Sequence, residues 1–265
     1  MNVDNVTSKD GTPIAFERSG EGPAIILVGG AIQHRAIDPQ TAQLAAILAQ
    51  DFTVFHYDRR GRGDSADTLP YAVEREIEDL EALINEAGGA AFVFGISSGA
   101  ALAMQAAVRL GYKIKKLALY EAPYNSENKA RQAWREYTKQ LREALAAGRR
   151  GEAVALFMKL VGMPADQIEG MRHAEMWPMF EAVAPTLAYD AAVMGEDASA
   201  PTELAARVAV PALVMDGGAS DAFMHHTATA LAKAIPQAQH RTLADQTHNV
   251  DMQVLAPVLA EFCAG

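Results

Sequence analysis

The sequence has a single cysteine, Cys263, so it cannot form an internal disulfide bond. A chain of 265 residues without disulfides is typical of a reducing compartment, and we expect a cytoplasmic protein. Residues 1–6 are polar and lack the basic and apolar regions of a secretory signal peptide. The apolar runs are all far too short to cross a membrane, so we expect no membrane association.

Positive charge is also scarce. The chain has 23 lysines and arginines against 33 aspartates and glutamates, a formal net charge of −10. Such a field repels phosphate backbones, and we expect no nucleic-acid partner. The densest basic run, Arg59-Arg60-Gly61-Arg62, is interpreted as a structural turn.

What the sequence does contain is a rhythm of short apolar strands and longer amphipathic helices. An N-terminal hairpin is predicted from Asn2–Thr7 and 14–18, around a turn at Asp10-Gly11. The further predicted strands are 24–28, 52–57, 91–96, 116–120, 211–215 and 239–243. The predicted helices between and after them are 41–50, 71–87, 100–110, 224–234 and 250–262. This alternation predicts an α/β fold with a mostly parallel central sheet and helices on both faces.

The alternation of strands and helices stops between residues 125 and 206, where no strand pattern occurs. Helical patterns fill this stretch, among them 131–147 and 150–161. We therefore expect a core domain built from residues 1–124 and 207–265, with residues 125–206 inserted as a helical lid.

The third strand of the parallel part ends in Gly95-Ile96-Ser97-Ser98-Gly99 and runs directly into a helix. This is the G-x-S-x-G pattern in its strand–turn–helix context. The tight turn strains the serine backbone, and the flanking glycines remove side chains that would collide with neighbouring elements. We predict that Ser97 is a nucleophile presented at the carboxyl edge of the sheet.

A serine that attacks an acyl carbon needs donors for the developing oxyanion. The backbone N–H of Ser98 is one candidate. The second is the N–H of Ala31, because Gly29 and Gly30 allow the backbone after strand 24–28 to approach the site. Gly30 is accordingly predicted to contact substrate.

The serine also needs a base. His248 lies between the last strand and the last helix, at the same sheet edge as Ser97, and is predicted to activate it. His225 and His226 lie at a helix start and are interpreted as surface residues.

These features resemble the α/β-hydrolase family over nearly the whole chain. The similarity rests on the elbow at Ser97, on the late His248, and on residues 58–65, which match the family's D-x-R-G-x-G-x-S loop. The resemblance implies that Asp58 is structural. A serine at the elbow argues against epoxide hydrolases and haloalkane dehalogenases, whose alkyl-enzyme chemistry needs an aspartate there.

The triad acid departs from the common family pattern. Most relatives have G-x-x-D after the penultimate strand, but here Ser220 occupies that position and Asp221 follows one residue later. The competitor is Glu121, at the end of strand 116–120. The motifs Ile96-Ser97-Ser98-Gly99-Ala100 and Glu121-Ala122-Pro123 resemble those of zearalenone lactone hydrolases, which take their acid from this strand end. We favour Glu121 and keep Asp221 as the alternative.

The predicted lid is rich in methionine and aromatic residues, which suit an adaptable apolar pocket. Trp177 is its best candidate for touching substrate. We expect a serine hydrolase of a medium-sized hydrophobic ester or lactone. The alternatives are a carbon–carbon bond hydrolase with the same triad, and a ligand-binding descendant that has lost hydrolysis. No metal or other cofactor is expected, and the sequence allows a homodimer.

Overall fold

The computed structural model of the protein describes residues 3–265, so Asn2 of the predicted first strand lies outside the described residues. Eight strands form one sheet in the order β1-β2-β4-β3-β5-β6-β7-β8. Their bounds are β1 (Asp4–Thr7), β2 (Pro13–Ser19), β3 (Ala24–Val28), β4 (Thr53–Tyr57), β5 (Ala91–Ile96), β6 (Ile114–Tyr120), β7 (Ala212–Gly217) and β8 (Ala238–Leu243). The β1–β2 and β2–β4 pairs are antiparallel and the other pairs are parallel. The predicted mostly parallel sheet is confirmed.

Eleven α-helices are present among residues 3–265. Their bounds are α1 (Pro39–Leu48), α2 (Val73–Glu86), α3 (Ser98–Leu110), α4 (Asn128–Ala146), α5 (Arg150–Leu160), α6 (Ala165–Arg172), α7 (Trp177–Val183), α8 (Leu187–Met194), α9 (Thr202–Ala205), α10 (Ala222–Ala234) and α11 (Met252–Ala264). We call α4–α9, which lie between β6 and β7 without an intervening strand, the helical insertion. In the described part of the chain, no helix is long and apolar enough to span a bilayer.

Side-chain capping explains why two helices begin elsewhere than predicted. Helix α1 starts before Thr41 because the Asp38 carboxylate accepts a hydrogen bond from the Thr41 N–H at 3.0 Å. Helix α11 starts after Val250 because Asp251 caps it, accepting from the Gln253 N–H at 2.8 Å. Apolar periodicity locates a helix, but the cap fixes its first residue.

The sheet has an apolar core on each face because its central strands alternate their side chains. In β3, Ile26 and Val28 pack towards α2, α3 and α10, whereas Ile25 and Leu27 pack towards α1 and α11. The helices predicted from periodicity thus cover both faces of the sheet.

The parallel strands end in register at one edge. Val28 of β3 pairs with Gly95 of β5, Ile96 pairs with Tyr120 of β6, and Tyr120 pairs with Met215 of β7. The loops that leave these strands therefore emerge side by side, which is the usual place for a site in an open α/β sheet.

Candidate active site

The turn between β5 and α3 holds Ser97 in a strained backbone conformation, with φ 57° and ψ −130°. The Ser97 N–H donates to the carbonyl oxygen of Tyr120 at 3.0 Å, which ties the turn to the end of β6. A Cβ at Gly99 would collide with the carbonyl oxygens of Val28 and Gly29. Only glycine at residue 99 therefore allows the turn to pack this closely against the end of β3.

Glu121 and His248 form a hydrogen-bonded pair at the same edge. Glu121 Oε2 lies 2.8 Å from His248 Nδ1, and Glu121 Oε1 accepts from the Gly217 N–H at 2.8 Å. The residue is only 2% exposed. Burial alone would raise the pKa of this carboxyl, but the hydrogen bonds from His248 and Gly217 hold the pKa below its usual value. An ionised carboxylate can only accept, so the proton on the ring is assigned to Nδ1 and the lone pair to Nε2.

Asp221, the alternative acid, lies at the N-terminal boundary of α10 and is exposed. Within residues 3–265, its carboxylate makes no hydrogen bond to His248. The structure thus brings Glu121, rather than Asp221, to the imidazole.

Tyr120 links the Ser97 turn to residues 244–251 between β8 and α11, which we call the histidine loop. Its hydroxyl donates to the carbonyl oxygen of Thr247 at 2.6 Å, next to His248, while its own carbonyl receives the Ser97 N–H. In the described chain, Ser97 Oγ and the imidazole are not hydrogen-bonded to each other, and the His248 side chain is 46% exposed. Catalytic hydrogen bonds of this kind are often long in the absence of substrate.

The loop after β3 approaches the serine closely. A Cβ built on Gly30 would lie 3.0 Å from Ser97 Cβ, so a larger residue would press on Ser97. The Gly30 N–H donates to the Gln33 side-chain oxygen, and Ile32 has a φ of 67°. Ser98 begins α3, so its backbone N–H lacks an intrahelical acceptor. Gly30, which precedes Ala31, thus approaches Ser97 from the loop after β3, and Ser98 follows Ser97 as the first residue of α3.

Strained backbone is concentrated around this edge. Of the five non-glycine residues with positive φ in residues 3–265, four lie in the loops just described, and Ala198 is the exception. The four are Ile32, Ser97, Glu121 and Asp245. Left-handed backbone at side-chain-bearing residues costs free energy and clusters at functional sites.

The basic run at residues 59–62 is part of the interior. The side chains of Arg59, Arg60 and Arg62 are at most 1% exposed. The preceding Asp58 accepts hydrogen bonds from the backbone N–H groups of Arg35 and Asp64, at 2.7 and 2.9 Å. These residues shape the loop, in agreement with the structural interpretation of the sequence.

Sequence reasoning missed Asp190, on α8 of the helical insertion. Its Oδ2 accepts from Arg62 Nη2 at 2.8 Å, and its Oδ1 accepts from Arg59 Nη1 at 2.7 Å and from Ser98 Oγ at 2.8 Å. Arg62 Nη1 also donates to the carbonyl oxygen of Gly30 at 2.6 Å. The unusual density of arginine around residue 60 was the available signal, because buried arginines require buried carboxylates.

Trp177, the predicted substrate contact, lies inside the helical insertion and is 5% exposed. Its Nε1 donates to Glu181 at 3.0 Å, and the Arg172 guanidinium lies 5.3 Å from the ring centroid. The same apolar cluster includes Ile32 of the loop after β3. These contacts give Trp177 a packing role, and its contact with substrate stays a prediction.

The profile of the Alpha/beta hydrolase family matches residues 25–259. The chain belongs to the α/β-hydrolase family. An α/β hydrolase from Sphaerobacter thermophilus DSM 20745 is 53% identical, with a TM-score of 0.87 over 98% of this chain and 100% of that one. The family assignment makes the chain a hydrolase enzyme, as the sequence predicted.

More distant α/β hydrolases share the fold. A thermophilic esterase from Thermogutta terrifontis is 23% identical, with a TM-score of 0.72 over 100% of this chain and 98% of that one. The enol-lactonase from Burkholderia xenovorans LB400 is 22% identical, with a TM-score of 0.70 over 99% of this chain and 100% of that one. At this level of identity, the likeness extends to architecture only.

Proposed function

We propose that the protein is a serine hydrolase that cleaves a carboxylic ester or lactone of a medium-sized hydrophobic small molecule. The nucleophile is Ser97, the base is His248 and the acid is Glu121. The main support is the 2.8 Å hydrogen bond between His248 Nδ1 and the buried Glu121 carboxylate. Glu121 directly follows β6, and the Tyr120 carbonyl at the end of that strand accepts a hydrogen bond from the Ser97 N–H. This bond orients the imidazole and stabilises the cation that forms when it accepts a proton.

The reaction has two halves. His248 Nε2 takes the proton from Ser97 Oγ as the oxygen attacks the acyl carbon, and the backbone N–H groups of Ser98 and Ala31 stabilise the oxyanion. The imidazolium then protonates the departing alkoxide, which leaves an ester on Ser97. Water, deprotonated by His248, then attacks the acyl carbon of this acyl-enzyme. The bond from that carbon to Ser97 Oγ breaks, the acid is freed, and the imidazolium returns the proton to Ser97 Oγ. For a lactone, the alkoxide and the acid belong to one molecule.

The helical insertion supports an apolar substrate. We propose residues 125–206 as a lid over the loop after β3, because Ile32 of that loop packs into the apolar cluster of the insertion. Esterase and enol-lactonase are named activities of proteins with this fold, which agrees with acyl chemistry. The bond from Glu121 to His248 supplies a carboxylate for the imidazole although Asp221 is displaced from the common family position, which favours hydrolysis over the ligand-binding alternative.

The test is turnover of p-nitrophenyl butyrate and of a hydrophobic lactone by wild type and by Ser97→Ala. We expect wild type to hydrolyse at least one of them, and Ser97→Ala to lose on the order of a thousandfold or more in kcat. Equal, background-level rates for the two proteins would reject the proposal. Cleavage of a vinylogous diketone, with no activity on either ester class, would support the carbon–carbon hydrolase instead.

A further inference from the structure

One buried carboxylate from the helical insertion holds both halves of the proposed oxyanion hole. Asp190 is 5% exposed, and its two oxygens face different parts of the site. Oδ1 receives the hydroxyl of Ser98, which also carries one proposed oxyanion donor on its backbone. Oδ2 receives Arg62, which reaches the loop with the other donor.

The second connection runs through a peptide plane. Arg62 Nη1 donates to the carbonyl oxygen of Gly30 at 2.6 Å. That carbonyl and the N–H of Ala31 belong to one trans peptide, and in such a unit they point in opposite directions. A donor that fixes the Gly30 oxygen on one side therefore fixes the direction of the Ala31 N–H on the other.

The buried ion pairs around Asp190 keep its carboxylate negatively charged. Two arginines, Arg59 and Arg62, meet two carboxylates, Asp190 and Glu76, and all four side chains are at most 7% exposed. Burial alone would raise the pKa of Asp190, but Arg62 and Arg59 hold the pKa below its usual value. The carboxylate thus stays ionised and accepts from Ser98 and Arg62 at once.

We propose that Asp190 is a positioning residue that aligns the Ser98 and Ala31 N–H groups for the oxyanion. This inference rests on the proposed function, because it concerns the same acyl-transfer site. It predicts a defect in the transition state rather than in substrate binding, since a ground-state carbonyl gains less than an oxyanion from well-aimed donors.

The experiment compares Asp190→Asn with Asp79→Asn. Asp79 is a matched control: it is 1% exposed and pairs through both oxygens with Arg60, at 2.8 and 2.6 Å. In the described residues, neither member of that pair forms a side-chain hydrogen bond to the loop after β3 or to Ser98. Both substitutions remove a buried carboxylate from an arginine of the same run, but only Asp190 is hydrogen-bonded to the Ser98 hydroxyl and linked through Arg62 to the Gly30–Ala31 peptide.

We expect Asp190→Asn to lower kcat for p-nitrophenyl butyrate by about 10–100-fold, with KM changed by less than about threefold. The Ki of a trifluoromethyl ketone, which adds to the serine and forms an oxyanion, should rise by the same factor. Asp79→Asn should leave kcat and the Ki of the ketone near their wild-type values. A loss confined to KM, an unchanged Ki, or equal effects of the two variants would overturn the inference.

Two further variants keep the outcomes separate. If Asp190→Asn does not fold, Ser98→Ala removes only the hydroxyl that reaches Asp190, and we expect a parallel several-fold change in kcat and Ki; no change in either would overturn the inference. Ser97→Ala reports on the proposed function itself. An active Ser97→Ala rejects both claims, whereas an inactive Ser97→Ala beside a normal Asp190→Asn rejects only the role of Asp190.

Discussion

The Glu121 carboxylate leaves β6 through a left-handed backbone turn, with φ 46°, and meets His248 Nδ1 at 2.8 Å. The carboxylate that meets His248, our proposed triad acid, therefore comes from the end of β6, beside β5 and the Ser97 turn, rather than from the loop after β7. The positive φ turns the carboxylate from the strand direction towards the histidine loop, and the Gly217 N–H holds its second oxygen.

Glu121→Gln should lower kcat by about 10³–10⁴-fold, because an amide supports the wrong imidazole tautomer and cannot balance its charge. Asp221→Asn is the matched variant on the competing residue and should stay within about twofold of wild type. Steady-state hydrolysis of p-nitrophenyl butyrate measures both. A larger loss in Asp221→Asn would reassign the acid.

Tyr120→Phe should lower kcat about tenfold, because the lost hydroxyl no longer fixes the Thr247 carbonyl and the histidine loop gains freedom. Tyr57→Phe is the control, since the buried Tyr57 hydroxyl has no hydrogen-bond partner in residues 3–265. Its removal should leave kcat unchanged and stability equal or higher. Equal kinetics in the two variants would show that the Tyr120 hydroxyl does not position the loop.

Gly99→Ala should lower the free energy of unfolding by about 3 kcal/mol or more, because the new methyl group meets the Val28 and Gly29 carbonyls. Gly170→Ala, on the exposed face of α6 with nothing within 4 Å of the added carbon, should raise it by about 0.5–1 kcal/mol. Urea unfolding of both variants checks the contrast. A Gly99→Ala protein as stable as wild type would contradict the packing of the serine turn.

Stability should also report the ionisation of Asp190. Its pKa is lower in the folded than in the unfolded state, so the unfolded chain takes up the proton first as the pH falls. The contribution of the ionised Asp190 to the free energy of unfolding is complete above the ordinary carboxyl pKa of about 4. It is lost below that pH, as the pH falls through the pKa of the folded state. Asp190→Asn should be about 3–5 kcal/mol less stable than wild type at pH 7. Because it has no carboxyl group at residue 190, its stability does not include this loss at low pH.

The difference in unfolding free energy between wild type and Asp190→Asn should therefore narrow below about pH 4. Urea titrations at several pH values between 7 and 3 give this difference directly. A gap that stays constant or widens at low pH would mean that Asp190 is not held ionised by its arginines.

Site residues could be predicted from the sequence where their positions depend on a local pattern or on the order of the strands. The turn at Ser97 is local, so five consecutive residues predict it. Glu121 follows from the order of neighbouring parallel strands, because Ile96 pairs with Tyr120 and both strands end at one edge. His248 is predicted at this edge for the same reason, because it follows the carboxyl end of the last parallel strand.

Asp190 could not be found this way. It meets Arg62 only because α8 docks against the sheet-covering helices α2 and α3, and no local pattern encodes that docking. The exact starts of helices were similarly beyond apolar periodicity, since the side chains of Asp38 and Asp251 determine them.

We propose that Ser97 is a nucleophile activated by the pair of His248 and Glu121. Diethyl p-nitrophenyl phosphate tests it, because a serine oxygen that attacks phosphorus releases one p-nitrophenolate and keeps the diethylphosphoryl group. We predict one equivalent of p-nitrophenolate, peptide mass spectrometry that locates the group on Ser97, no labelling of Ser97→Ala, and much slower labelling of Glu121→Gln. Labelling on another residue, or equal labelling of Ser97→Ala, would contradict this role of Ser97.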